Sequence, residues 1–396
     1  MQRIREFDSL RGIAAFTVVI HHFLLILPAI DANTYGQKIF WQVNVIKYTP
    51  LHLVWAGREA VIFFFVLSGF VLSLPFLGGK EVKYSHFLIK RVCRIYIPYF
   101  CAITIAIMLD LLLSRHGIPQ LSGWFQLAWT AKVSNLLILN HYLLLGNFDN
   151  MQFDPVIWSL VQEMRISLFF PLLVYLAKRY DWKIVLGIGL ALYGLIGYGL
   201  NSIIVKYYPN NDVAITARYV LMFVIGILLA KHWDTLTKSF KKIPTFFQYG
   251  LFLIALLFYV NTWLTFGVQT PYKIPVNELF VSAGVCILLI IVLASVRFSK
   301  ILLYRPIAYL GKISYSLYLL HSIVLIACVN LLFGRLSLAV ILSIAFITTF
   351  AISIPAYHFI ELPSMTLGKY LIRKRDHSVL KRRGKRRIQE NVTSGG

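Results

Sequence analysis

Apolar residues along this chain gather in long blocks rather than alternating or recurring once per helical turn. Ten blocks, at 10–29, 60–77, 95–114, 156–177, 183–205, 213–230, 247–267, 277–296, 313–333 and 336–358, stand between short polar connections. Each approaches the roughly 20 residues that a helix needs to cross a bilayer. The pattern predicts an all-α polytopic membrane protein, a bundle of about ten transmembrane helices. A shorter apolar stretch at 135–145 suggests an additional short or re-entrant helix. No internal repeat and no soluble domain interrupts the series. The expected organisation is an integral-membrane domain over 1–363 and a basic, disordered tail over 364–396.

Composition agrees with this. Of 396 residues, 58% are hydrophobic and 14% charged, with a mean hydropathy of +0.72. A soluble domain carries about a quarter charged residues, so soluble, disordered and disulfide-scaffold classes are excluded. The four cysteines, Cys93, Cys101, Cys286 and Cys328, show no metal-binding or disulfide spacing, and no metal site is expected. The apolar run after the basic N-terminus contains His21 and His22 and lacks a small-residue cleavage site, so it reads as a retained first span.

The charge matters by its location. Of the 39 Lys and Arg, 29 fall at the N-terminus, in the connections after spans 2, 4, 6 and 8, and in the tail. Eight fall in the alternate connections, and Arg165 and Arg218 lie within spans. The positive-inside rule then places both termini in the cytoplasm. The net charge of +23 therefore speaks for anionic lipid as the tail's partner, not nucleic acid. On the other side lies the long connection 115–155, with Trp124, Trp129, Asn135, His141 and Asp154. It suits either a packed cap or an interfacial aromatic belt.

Ionisable groups at bilayer depth are costly unless paired or solvated, and they mark candidate sites. Arg11 stands at the cytoplasmic mouth of span 1 and His22 eleven residues deeper. That separation is about 16 Å along the axis and about 20° beyond three full turns. Arg11 and His22 thus line one face, and His21 points elsewhere. Arg91 and Arg94, one turn apart at the start of span 3, offer two guanidinium forks for a multiply charged anion, or simply anchor the helix. Glu163 and Arg165 in span 4 face different ways. Glu163 could orient an imidazole or pair with Arg218. Span 9 carries Ser314, Tyr318 and His321 near one face, the serines suited to helix packing and His321 open in role. These residues alone fit a membrane enzyme using a cytoplasmic anionic donor, and equally a proton-coupled transporter.

FDSLRGIAAFTVVIHHF at 7–23, FFFVLSGFVLS at 63–73, RVCRIYIPYF at 91–100, WSLVQE at 158–163 and GKISYSLYLLH at 311–321 resemble, in order, the motifs of the acyltransferase family 3 membrane proteins. The resemblance implies transfer of an acyl group, usually acetyl from cytoplasmic acetyl-CoA, to a hydroxyl. The acceptor would be an envelope saccharide such as lipopolysaccharide O-antigen or exopolysaccharide, or a small molecule, and the location the bacterial inner membrane. It also implies His22 as the catalytic group, with Arg11, Arg91 and Arg94 on the donor phosphates; Arg11 and Glu163 are expected beside His22 in the catalytic set. Two stretches depart from the common pattern: Ala60-Val61-Ile62 before the Phe-Phe of the second motif, and MRISLFFP after WSLVQE. Some relatives carry a C-terminal SGNH-hydrolase-type domain, and none is expected in this sequence.

Overall fold

A computed structural model describes residues 4–34, 41–79, 82–146, 148–199, 213–261 and 273–376. These fold as helices: α1 (Arg5–Leu25), α2 (Pro28–Thr34), α3 (Trp41–Lys47), α4 (Gly57–Leu77), α5 (Tyr84–Leu113), α6 (Asn135–Leu143), α7 (Ile157–Arg179), α8 (Trp182–Ala191), α9 (Val213–Lys242), α10 (Thr245–Tyr259), α11 (Lys273–Ala294), α12 (Val296–Leu302), α13 (Arg305–Leu332) and α14 (Leu338–Ala356). Two of them run on. Wide π-type turns extend α8 through Gly199, and α14 continues past a similar turn at Tyr357–Glu361 to Asp376.

Among the described residues, nine helices are long and apolar enough to cross a membrane. The expected span at 247–267 appears as α10, only 15 residues long, and its remaining positions 262–267 lie outside the described residues. Two other expectations are corrected. α5 begins at Tyr84, eleven residues before the expected edge, because the polar stretch from Tyr84 contains no helix breaker and Lys83 supplies an extended entry. Thirty residues give a helix of about 45 Å, longer than the hydrocarbon core, so Arg91 and Arg94 sit inside its wall rather than ahead of it. The basic segment is also helical from 364 to 376, where a disordered tail was expected; 377–396 lie outside the described residues.

Two close helix crossings organise the bundle. α1 packs along α13, with Gly12 against Gly311. A β-carbon on Gly12 would lie 2.5 Å from the Gly311 amide nitrogen, so only glycine lets the backbones meet there. The second crossing seats Gly69 of α4 on Phe223 of α9, and Gly226 of α9 on Val66. Small residues serve this purpose in membranes, where apolar side chains gain little by leaving lipid for protein.

The connection between α5 and α7 is a packed cap. Trp124, Phe125, Trp129 and Phe153 are buried. Trp129 is fixed twice, its backbone N–H donating to the Gln152 carbonyl at 2.9 Å and its indole N–H to the Phe153 carbonyl at 3.0 Å. α6 forms within this cap at the short apolar stretch, opened by Ser134, whose side chain accepts from the Leu137 N–H, and closed by Leu144 in the left-handed conformation.

Candidate functional site

The glycine crossing sets the register of the centre. His22 lies ten residues beyond Gly12, and His321 ten residues beyond Gly311. The two helices run in parallel, so equal offsets bring the two imidazoles to the same depth. His22 Nδ1 and His321 Nε2 are 2.8 Å apart, with the rings nearly parallel at 18°. His321 is fully buried, and its Nδ1 lies 3.2 Å from the Leu317 carbonyl one turn back. His22 keeps part of its surface accessible. His21 turns away, as its position requires, to the Trp55 carbonyl at 2.7 Å.

The cap reaches this centre. Trp124 stacks on the His22 ring, with centroids 5.0 Å apart and planes 15° apart. Asp31, from α2, holds the Trp124 backbone N–H at 3.3 Å. At the other end of the cap, just before α7, Asp154 accepts a short hydrogen bond from Ser322, the neighbour of His321. Asp154 is fully buried, and desolvation pushes its carboxyl up to about 7, against the opposing pull of the Ser322 hydroxyl and the Val156 N–H. Ser159 of α7 and Tyr318 of α13 are joined at 2.7 Å beside it, and the Tyr318 ring lies 5.9 Å from that of His321. The cap therefore descends from the α5–α7 connection to the level of His22.

The charged cluster lies toward the other mouth. Arg91 of α5 donates to Glu163 of α7 at 2.6 Å and, through Nε, to Ser167 at 3.1 Å. Ser68 of α4 donates to the same carboxylate oxygen at 3.2 Å. Among the described residues Arg11 pairs with Asp8, one turn earlier, at 3.3 Å. Arg94 is half-buried and makes no ion pair or side-chain hydrogen bond among the described residues. The charges of Arg11, Arg91, Arg94 and Glu163 are close enough to act on one another. Three guanidinium groups against the two carboxylates of Glu163 and Asp8 leave a positive surplus, suited to an anion.

The five sequence-predicted residues thus divide. His22 stands at the centre, and Arg11, Arg91, Arg94 and Glu163 gather below it. The pairing considered for Glu163 with Arg218 does not occur. Arg218 lies over the Tyr198 ring at 4.8 Å, and Glu163 serves Arg91, because α5 packs against α7 there. Nor does Glu163 bond an imidazole among the described residues. Arg165 caps the carbonyls of Leu145 and Gly146, tying the cap to α7. Ser316 bonds Glu361 at 2.6 Å, a packing role across to the last helix. Sequence reasoning missed Trp124 as a partner of His22. It left His321 open, although the ten-residue offsets from Gly12 and Gly311 carried the signal.

Residues 4–358 match the family model described as an acyltransferase domain. Among curated proteins, the chain is similar to YrhL of Bacillus subtilis, provisionally named a peptidoglycan O-acetyltransferase, at 26% identity over 86% of this chain and 55% of that protein. It is similar as well to the O-acetyltransferase OatA of Staphylococcus aureus, at 25% identity over 86% of this chain and 58% of that one. The chain therefore spans little more than half the length of these relatives. No solved structure matches.

Proposed function

On the premise that this chain belongs to acyltransferase family 3, we propose that it moves an acetyl group from cytoplasmic acetyl-CoA to a hydroxyl of a cell-envelope saccharide. The observation that carries the reading is a surplus-cation cluster at one mouth and a partly accessible imidazole at depth, joined by α1, which carries both Arg11 and His22. Arg94 is the group best able to take donor phosphates, with Arg11 beside it on a longer contact to Asp8, since Arg91 is closely engaged by Glu163. Glu163, expected in the catalytic set, is instead a positioning group that holds Arg91 and tempers the cluster's charge.

His22 acts as general base on the acceptor hydroxyl, a role worth about 10² to 10⁴ in rate. Trp124 and the cap stand where an acceptor from the far side would approach. A saccharide acceptor is supported by the YrhL name, which gives peptidoglycan for that protein; lipopolysaccharide and exopolysaccharide belong to the same chemical class of hydroxyl donor. The cationic mouth supports the inner-membrane orientation with both termini cytoplasmic.

The test is a deletion strain carrying empty vector, the wild-type gene or His22→Ala, with envelope glycans compared by NMR before and after mild alkali. Alkali-labile acetyl esters restored by wild type alone are the expected result. Identical spectra from all three strains, with protein present in the membrane, would overturn the saccharide assignment.

A further inference from the structure

Resting on the acyl-transfer reading, we propose that His321 is a positioning residue that holds His22 in the tautomer whose Nε2 carries the lone pair. The argument follows the hydrogen-bond chain. The Leu317 carbonyl can only accept, so His321 Nδ1, 3.2 Å away, carries the proton. A neutral imidazole has one donor and one acceptor nitrogen, which leaves His321 Nε2 with a lone pair. That atom faces His22 Nδ1 at 2.8 Å, so His22 Nδ1 is the donor and its Nε2 is bare. Only this tautomer presents a base to a substrate. Had His321 carried its proton on Nε2, the order would reverse and His22 would present an N–H instead.

Three features make this a built arrangement. His321 is fully buried, out of reach of a substrate. Trp124 lies flat on the His22 ring, resisting a ring flip that would exchange the nitrogens. The Gly12–Gly311 contact lets the two helix backbones meet at the register that pairs the rings.

In the reaction the acceptor oxygen bonds to the thioester carbonyl carbon while its proton passes to His22 Nε2. The carbon–sulfur bond breaks, and His22 returns that proton to the departing thiolate, giving the free thiol. The Nδ1 proton stays in place throughout, and the lone pair of His321 stabilises the transient imidazolium, the part a carboxylate plays in hydrolase triads.

The test uses the full chain labelled with ¹⁵N-histidine in lipid nanodiscs, the His22 signals being those lost in His22→Asn. Solid-state NMR should show His22 protonated at Nδ1 and bare at Nε2. In His321→Leu the proton should move to Nε2, and kcat should fall about 10² to 10⁴-fold, with the KM for acetyl-CoA unchanged. His321→Gln, whose amide oxygen can accept from Nδ1–H, should recover at least tenfold over His321→Leu at equal thermal stability. A wild-type His22 protonated at Nε2, or equal turnover in the Gln and Leu variants, would overturn the proposal. The NMR outcome decides it even if no acetyl transfer is found, in which case the functional reading falls separately.

Discussion

Replacing Gly12 by Ala isolates the helix crossing from the chemistry. The added carbon would sit 2.5 Å from the Gly311 nitrogen and 2.7 Å from the Leu310 carbonyl carbon. Both are backbone atoms that cannot rotate aside. Ordinary contact begins near 3.4 Å, so α1 and α13 must part by about 1 Å, a strain typical of overpacking at about 1–3 kcal/mol. Carried ten residues along two stiff helices, a parting of about 1 Å stretches the 2.8 Å His22–His321 contact beyond hydrogen-bonding range. Misplacement on that scale costs about 10² in rate. The assay is acetyl transfer by purified protein in proteoliposomes alongside thermal unfolding. Gly187→Ala in α8 serves as control, since a β-carbon there meets nothing within 4 Å. We expect Gly12→Ala to unfold at lower temperature and lose most turnover while Gly187→Ala loses neither. Wild-type turnover in Gly12→Ala would refute the argument that the crossing sets the imidazole register.

Other outcomes follow from the same geometry. Arg94→Ala should raise the KM for acetyl-CoA tenfold or more with little change in stability, measured by initial rates and melting. Arg91→Ala should destabilise by about 3–5 kcal/mol, because it strands Glu163 beside Ser68 without its cation; the double variant Arg91→Ala with Glu163→Ala should be more stable than the single one, a coupling that thermal melts would read. Asp154 binds its proton more tightly folded, at about 7, than unfolded, near its ordinary 3.8. The folded state thus holds the extra proton between those values, and stability should decline as pH rises from about 4 to 7, then level off, by about 4 kcal/mol in all. Asp154→Asn should flatten that stretch of the melting-temperature profile.

The membrane class and most helices were legible in the sequence because about 20 apolar residues suffice to specify a span, whatever surrounds it. The alignment of Arg11 with His22 was legible for a similar reason: both belong to one helix, and 3.6 residues per turn determines their faces. Partners on other helices were not. Glu163 was expected to orient an imidazole or to pair with Arg218, and it is the packing of α5 against α7 that gives it Arg91 instead. The start of α5 was misplaced because polar residues continue a helix as readily as apolar ones when no breaker intervenes. Trp124 was legible as part of the long connection but not as a partner of His22, since nothing local tells that a loop residue descends to meet it. His321 was half-legible, its register hidden in a glycine 299 residues away from the one it meets.

The stack of Trp124 on His22 also has an electrical side. Where a cap from one side descends to meet a polar mouth opening from the other, water and ions on either side approach each other closely, and the membrane voltage falls mainly across the thin partition between them. On the proposed reading, a proton that leaves an outer hydroxyl and ends on an inner sulfur crosses that partition. An inside-negative potential pulls it in the productive direction, by up to about 2.3 kcal/mol per 100 mV for a full crossing. The bundle would in this way draw on the cell's voltage, and its turnover in sealed vesicles would rise with an imposed potential of that sign and fall with the opposite one.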